Sequence, residues 1–350
     1  MAAPRTVLHL VGSPVDEFFA DLSRLYAGAS LAALDDPARY RTHIAYVAPG
    51  GQWRFPRDLS PQAVADATEM PLPQALSHIV DLSVEVMVPQ MFCLPGMTVY
   101  RSLFDALGVP YLGSSGEVMA VGADKARTRA IVGAAGVRVP AGRVVRDHTR
   151  TDLKYPVVVK PVSADNSVGV TFVADDGDYD DAISAALLHG GSALVESYVE
   201  LGREVRCGIV VREGELICLA LEEYAVDADT RPIRTREDKL ARTASGELYL
   251  VAKDDTRAWM VPTDDPVTER VWDAARRCHE ALGCRQYSLF DFRIDSHGQP
   301  WFLEAGLYCS FAPASVIATM ARAAGTGLAQ LFADTLTELD RDGALCASPS

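Results

Sequence analysis

Residues 288–304 constrain this chain more tightly than any other stretch. Two apolar strands, Ser288–Asp295 and Pro300–Glu304, are joined by only four residues, Ser296-His297-Gly298-Gln299. A connection that short makes the strands neighbours and antiparallel. Each carries one carboxylate within apolar sequence, Asp291 in L-F-D-F-R-I-D and Glu304 in Q-P-W-F-L-E-A, and the pairing brings the two near one another on one face. Like charges that close call for a divalent cation or a shared proton. Strand-borne carboxylates facing a phosphate are a usual arrangement for Mg²⁺. The plain alternative is two solvated acids on a hairpin.

The first third of the chain has another texture, with strands alternating with helices. Arg5–Val11 reads as a buried strand, and Phe18, Phe19, Leu22 and Leu25 follow at helical spacing. His43–Val47 and Val84–Val88 are further strands, a helix starts at Pro61, and Thr98–Leu107 is a helix stopped by Gly108 before a short strand, Val109–Leu112. Such alternation implies a mostly parallel sheet whose ligand edge lies at the strands' carboxyl ends. Beyond Gly122 come a helix (Asp124–Ala135), a strand (Tyr155–Pro161), a polar loop (Ser163–Gly169), a strand (Val170–Ala174), a helix (Asp178–Leu188) and a strand (Ala193–Tyr198), a compact α+β unit. Long strands (Glu204–Arg212, Glu215–Tyr224), an irregular stretch (Asp227–Ser245), a helix (Asp265–Leu282), the hairpin and two helices (Ala314–Ala324, Leu328–Leu339) complete the chain. A length of 350 residues asks for two or three domains. We place them at 1–122, 123–200 and 201–345.

Acidic residues outnumber basic ones, 47 to 33, and there is no basic run, which argues against sequence-independent binding to nucleic acid. Particular cations therefore become informative. Lys160 ends the apolar run V-V-V, where a charge is costly unless an anion meets it. Lys125 sits in the first turn of a helix, where the macrodipole disfavours a positive charge. A bound phosphate resolves both; ordinary surface charge is the other reading. Between them S-A-D-N-S-V-G is small, turn-forming and rich in backbone donors, as a loop over phosphates would be, although G-x-x-x-x-G-K-[ST] is absent. Glu196 and Glu204 are placed as carboxylates flanking a nucleotide cleft, and His9, inside an apolar strand, reads as a core residue. Seven scattered cysteines without C-x-x-C argue against a disulfide framework and suit a reducing cytoplasm. No apolar run reaches membrane-spanning length.

The order of these residues resembles the ATP-grasp superfamily, and within it the D-alanine–D-alanine ligases. The likeness is carried by Lys125, V-V-V-K-P (157–161), the Ser-rich loop, V-E-S-Y-V (195–199), G-R-E (202–204), Asp291 and F-L-E (302–304). G-V-P-Y-L-G-S-S (108–115), A-D-K-A-R-T-R-A (123–130) and G-R-E-V-R-C-G-I-V (202–210) are also similar to that family, over about residues 84–340. The resemblance implies a three-domain α/β ATP-grasp fold: an amino-terminal parallel α/β domain, a small central α+β domain, and a carboxyl-terminal α+β domain with an antiparallel sheet. It further implies ATP and Mg²⁺, small amino acid-like carboxylate and amine substrates, and a homodimer. By the same likeness Lys125, Lys160 and Ser167 hold phosphates, and Glu196 with Ser197–Val199, Tyr198 included, reads adenine. Glu204 holds the ribose, Lys239 reaches the γ-phosphate, and Asp291 and Glu304 bind Mg²⁺. Ser315 binds the acceptor's carboxylate, and Glu17, beside Asp16, takes the first substrate's ammonium.

The departures lie on the amino-acid side. The family's R-[IV]-D is Leu289-Phe290-Asp291 here, and Arg293, two residues on and so on the same strand face, is the candidate to replace the lost oxyanion arginine. Its E-x-N is E-A-G, ending at Gly306, and the following turn is Leu307-Tyr308-Cys309-Ser310. V-P-Q-M-F-C-L-P-G (88–96) stands in place of an acidic, glycine-rich segment, and Leu240 in place of a tyrosine. Leu240, Tyr308 and Ser310 are therefore the candidate substrate contacts. With Leu307 and Phe311 they point to a substrate bulkier or less polar than alanine. The reading is an ATP-dependent ligase that forms an amide through an acyl phosphate, in specialised metabolism. The alternatives are D-alanine–D-alanine ligation for the cell wall, a nucleotide-binding protein that has lost catalysis, or phosphoryl transfer to a hydroxyl or water.

Overall fold

The computed structural model describes residues 3–164, 168–200, 202–227, 230–234, 240–242, 248–250 and 256–347. Strand Arg5–Gly12 is buried at every position but its first, and lies between two parallel partners, Tyr40–Val47 and Val86–Pro89. Its near-continuous apolar run is what burial on both faces requires. The two-residue strand Trp53–Arg54 adds an antiparallel edge that the sequence did not announce. Gly12 ends the first strand at φ +99°, with the Val47 carbonyl oxygen 2.1 Å from where a Cβ would sit, so no side chain fits there. The chain then enters helix Glu17–Ala33, capped by Asp16, whose carboxylate accepts from the Phe19 N–H at 2.9 Å. The expected strand Val109–Leu112 reduces to one parallel bridge, Met87 to Tyr111; Pro110 has no N–H with which to extend it.

The second sheet is antiparallel, in the order Gly142–Val145, Ala193–Ser197, Val157–Pro161, Thr171–Val173. Helix Tyr179–Leu187 packs on it, and Val157, Val159, Val173, Tyr179, Ile183 and Val195 form a core of its own. The third sheet, also antiparallel, runs Ala258–Met260, Glu222–Tyr224, Arg203–Arg212, Tyr287–Ile294, Pro300–Ala305, with Glu215–Cys218 paired on Arg203–Arg212. The single strand expected over Glu215–Tyr224 is thus broken at the buried Leu219–Leu221.

The three sheets are not equally independent. Val7, Val86 and Val88 of the first share a core with Val210, Tyr287 and Leu289 of the third. Helix Lys125–Ala134 was assigned by sequence to the central unit, yet Val132, with Val137 beyond its end, packs with Val271 and Phe290 of the carboxyl-terminal core. The core of the central sheet is shared with neither of the other two. Among the described residues no single helix is long and apolar enough to cross a membrane.

Two buried histidines tie this packing to pH. Burial pulls both His9 and His279 down to about 4, and His279 Nδ1 lies 2.8 Å from Ser288 Oγ. A depressed histidine pKa means that the unfolded chain binds protons first, so stability is held above about 6.5 and lost as pH falls toward 4. Each histidine accounts for on the order of 3 kcal/mol over that window. His9→Leu, at a site where Nδ1 has no hydrogen-bond partner, is expected to flatten the fall in urea midpoint between pH 6.5 and 4. An unchanged slope would show that His9 does not drive it.

Candidate active site

The hairpin forms as its short connection requires, and Asp291 and Glu304 are register partners across it, with a bulge between Asp291 and Phe292. Neither carboxylate lacks a cation. Arg206, the register partner of Asp291 on the opposite side, grips it with a two-pronged hydrogen bond, Nη2 lying 2.5 Å from Oδ2 and Nε donating to Oδ1. Burial pulls the guanidinium's pKa down, but the adjoining Asp291 charge more than reverses this and keeps it high, so Arg206 stays charged. Lys125 Nζ stands 4.0 Å from Glu304 Oε2 and donates to the Ala164 carbonyl.

A narrow slot between the central and carboxyl-terminal sheets is lined by Lys125, Lys160, Glu196, Ser197–Val199, Glu204, Arg234, Asp291, Arg293 and Glu304. Lys160 Nζ is 2.6 Å from Glu196 Oε2, whose other oxygen accepts from Arg129 Nε at 3.0 Å. Glu204 is flanked by Arg293 at 2.8 Å and Arg234 at 3.9 Å. The slot's own lining thus sets four cations, Lys125, Lys160, Arg234 and Arg293, against four carboxylates, with Arg129 and Arg206 gripping two of those carboxylates from behind, in a chain of net charge −14. Such a concentration of cations in an acidic chain suits a polyphosphate. Asp291 and Glu304 are hard oxygen donors of the kind a phosphate-bound Mg²⁺ takes from a protein, and Asp291 would share its oxygens between the metal and Arg206. Gly306 offers no ligand, and a Cβ there would meet Leu289 Cβ at 3.7 Å, so nothing but the missing side chain stands in the way.

A second, larger cavity of about 580 Å³ opens between the amino-terminal sheet and this slot. Phe18 and Phe19 come from the first helix, Phe92 to Met97 from the chain after the third parallel strand, and Leu307 and Tyr308 from beyond the hairpin. Lys125 and Glu304 line both spaces.

Not every residue chosen from sequence arrives here. Tyr308 does, stacked edge-on to Phe92 at 5.6 Å. Glu17 is exposed and lines neither space; Asp16, the helix cap, faces the cavity instead. Ser310 is buried away from both, its carbonyl accepting from Gln90 Nε2 at 2.9 Å, and Ser315 is buried at the start of helix Val316–Ala323, also lining neither. Arg293 is drawn to the nucleotide end: it binds Glu204 and the Pro232 carbonyl and lies 5.0 Å from the Tyr198 ring. It is therefore not placed to replace the oxyanion arginine. Ser167 and Lys239 lie outside the described residues, and of Leu240 only the backbone of strand Leu240–Arg242 is described. Sequence reasoning missed Arg129, Arg206 and Arg234. An arginine inside the apolar strand E-V-R-C-G-I-V was the one signal that could have found Arg206.

Residues 139–337 match the family model described as the D-Ala–D-Ala ligase C-terminus, more than half of the chain. The chain belongs to that family. This ligase is 28% identical over 346 residues to a D-alanine–D-alanine ligase of Corynebacterium diphtheriae, covering 91% of this chain and 90% of the relative. It is 28% identical to the vancomycin B-type resistance protein VanB of Enterococcus faecalis, over 68% and 67% of the two chains. Among solved structures it is similar to the VanG D-Ala:D-Ser ligase of Enterococcus faecalis, with a TM-score of 0.76 and 20% identity over 96% and 99% of the chains, which shows the three-domain ATP-grasp fold. The protein is an ATP-dependent, Mg²⁺-requiring carboxylate–amine ligase that forms an amide bond.

Proposed function

We propose that this ligase joins two amino acid-like substrates in the reaction class of its D-alanine–D-alanine ligase relatives. The D-alanine–D-alanine ligases and the vancomycin resistance protein among the relatives favour that class over the specialised metabolism expected from sequence. The observation that carries the proposal is the meeting of the nucleotide slot and the larger cavity at Lys125 and Glu304. A carboxylate seated in the cavity would reach the γ-phosphate there. Its oxygen attacks phosphorus and ADP leaves; the amine of the second substrate then attacks the acyl carbon, phosphate departs, and the amine gives up a proton.

Lys125 and Lys160 offset charge on the phosphates, Ser197–Val199 lie along the base end, and Glu204 takes the ribose. Glu196, with both oxygens already held by cations, positions Lys160 rather than offering an open acceptor to adenine. Bound at Asp291 and Glu304, Mg²⁺ would neutralise charge on the transferring phosphoryl group. Arg206 lines neither space and serves to hold and orient Asp291. We divide the chain at 1–122, 123–200 and 201–345, with helix Lys125–Ala134 packed on the carboxyl-terminal core and the central sheet beyond it facing the slot. A cytoplasmic homodimer is the form that the family resemblance supports.

The test is to supply ATP, Mg²⁺ and a panel of D- and L-amino acids, singly and in pairs, and to measure ADP and products by mass. One ADP should form for each new amide. ADP without an amide, or no ADP with any pair, would overturn the reading.

A further inference from the structure

We infer that the acyl donor of this ligase carries a bulky apolar side chain, a leucine- or phenylalanine-sized group, where the relatives' printed substrate has a methyl. This rests on the reading above, that the larger cavity holds the carboxylate to be activated. Three observations converge. At about 580 Å³ the cavity falls in the range of sites that enclose whole drug-sized ligands, far beyond what alanine fills. Much of its wall is apolar: Phe19 from the first helix, Phe92, Leu94 and Met97 from the segment after the third parallel strand, and Leu307 and Tyr308 from beyond the hairpin, with Ser163 and His189 of the central unit facing them. Lys125 and Glu304 open onto the slot at one end; among the described residues the one other charged side chain of the lining is Asp16, the cap of the first helix, and His189 and Ser163 add polar groups. A substrate that matches it has a carboxylate at one end and a large hydrocarbon or aromatic body at the other.

The apolar wall has a definite origin in sequence. Q-M-F-C-L-P-G stands where the family resemblance expected an acidic, glycine-rich segment, and here it folds into the short helix Leu94–Met97 against the cavity. Leu94 is 46% exposed, and so is Val15, at 51%, on the same rim. Large apolar side chains left half in water around a cavity mouth are covered when an apolar ligand arrives. A small zwitterion would cover none of them and would leave its own polar groups unpaired beside hydrocarbon.

The experiment measures kcat/KM for ADP release with D-alanine as the amine and a series of donors: alanine, valine, leucine, phenylalanine and tryptophan, each as D and L, with products read by mass. The expected result is a rise of about 10²-fold or more from alanine to the best large apolar donor. Leu94→Trp, a partly exposed position where a larger ring shortens the cavity without disturbing the core, is expected to compress that ratio by about tenfold, most for the longest donors. Efficient D-alanyl-D-alanine formation at a rate equal to or above that of the large donors would overturn this inference and leave the ligase reading standing. If no donor of any size gives ADP together with an amide, the ligase reading itself fails, and the inference with it.

Discussion

Lys160→Ala is expected to lower ATP turnover by about 10²-fold or more while the protein stays folded. The lysine ends strand Val157–Pro161, buried, with its ammonium 2.6 Å from Glu196 and 3.4 Å from the Leu303 carbonyl. Removing one partner of a buried ion pair ordinarily destabilises by several kcal/mol, because the other charge is stranded. Glu196 is not stranded here, since Arg129 holds its second oxygen at 3.0 Å. The loss therefore falls on the phosphate that Lys160 serves rather than on the fold. Lys160→Met keeps most of the stem and separates packing from charge: it should be as inactive as the alanine variant and more stable. Thermal unfolding and ADP release, measured side by side, decide the matter. Turnover within about threefold of the parent in either variant would show that Lys160 does not face the phosphates, since a lost charge-stabilising contact costs far more.

What the sequence made legible, and what it hid, divides along chain separation. Asp291 and Glu304 could be paired from sequence because four residues set the register between their strands. Lys160 was legible because a charge closing V-V-V is locally improbable. Arg206 was not, although it touches Asp291 directly. It lies 85 residues earlier, and its position depends on the register of strand Arg203–Arg212 against Tyr287–Ile294, which no local pattern specifies. Arg293 illustrates half-success: period-2 alternation correctly put it on the face of Asp291, but the register opposite it supplies Glu204, and that carboxylate draws it to the nucleotide end. Glu17 lost to Asp16 by one residue, because the helix begins one position later than the first acid and makes that acid its cap. Ser315 was carried over by its place in the family's pattern, and Ser310 was chosen from a turn that departs from it. The turn between them packs inward instead, with Phe311 fully buried at φ +51°, so equal sequence spacing does not deliver equal direction.

Arg206→Leu should be more damaging than the lysine change, because it acts on fold and chemistry together. Asp291 is 8% exposed at its side chain and Arg206 17%, so the pair is largely removed from water. Taking the guanidinium away leaves a buried carboxylate whose register partner across the hairpin is another carboxylate, Glu304. A stability loss of about 3–5 kcal/mol is expected from the stranded charge. Catalysis should fall by about 10–10²-fold, the usual effect of losing the partner that orients a metal-binding carboxylate. The two effects can be taken apart. Arg206→Lys keeps a positive charge beside Asp291 but loses the planar fork that binds both carboxylate oxygens, so it should recover most of the stability and little of the turnover. Adding Asp291→Asn to Arg206→Leu should likewise recover stability, since no charge is then stranded, and should restore no activity at any Mg²⁺ concentration. If Arg206→Lys instead regains full kcat, the guanidinium is only a counter-charge for Asp291, and its two-pronged grip contributes nothing to turnover.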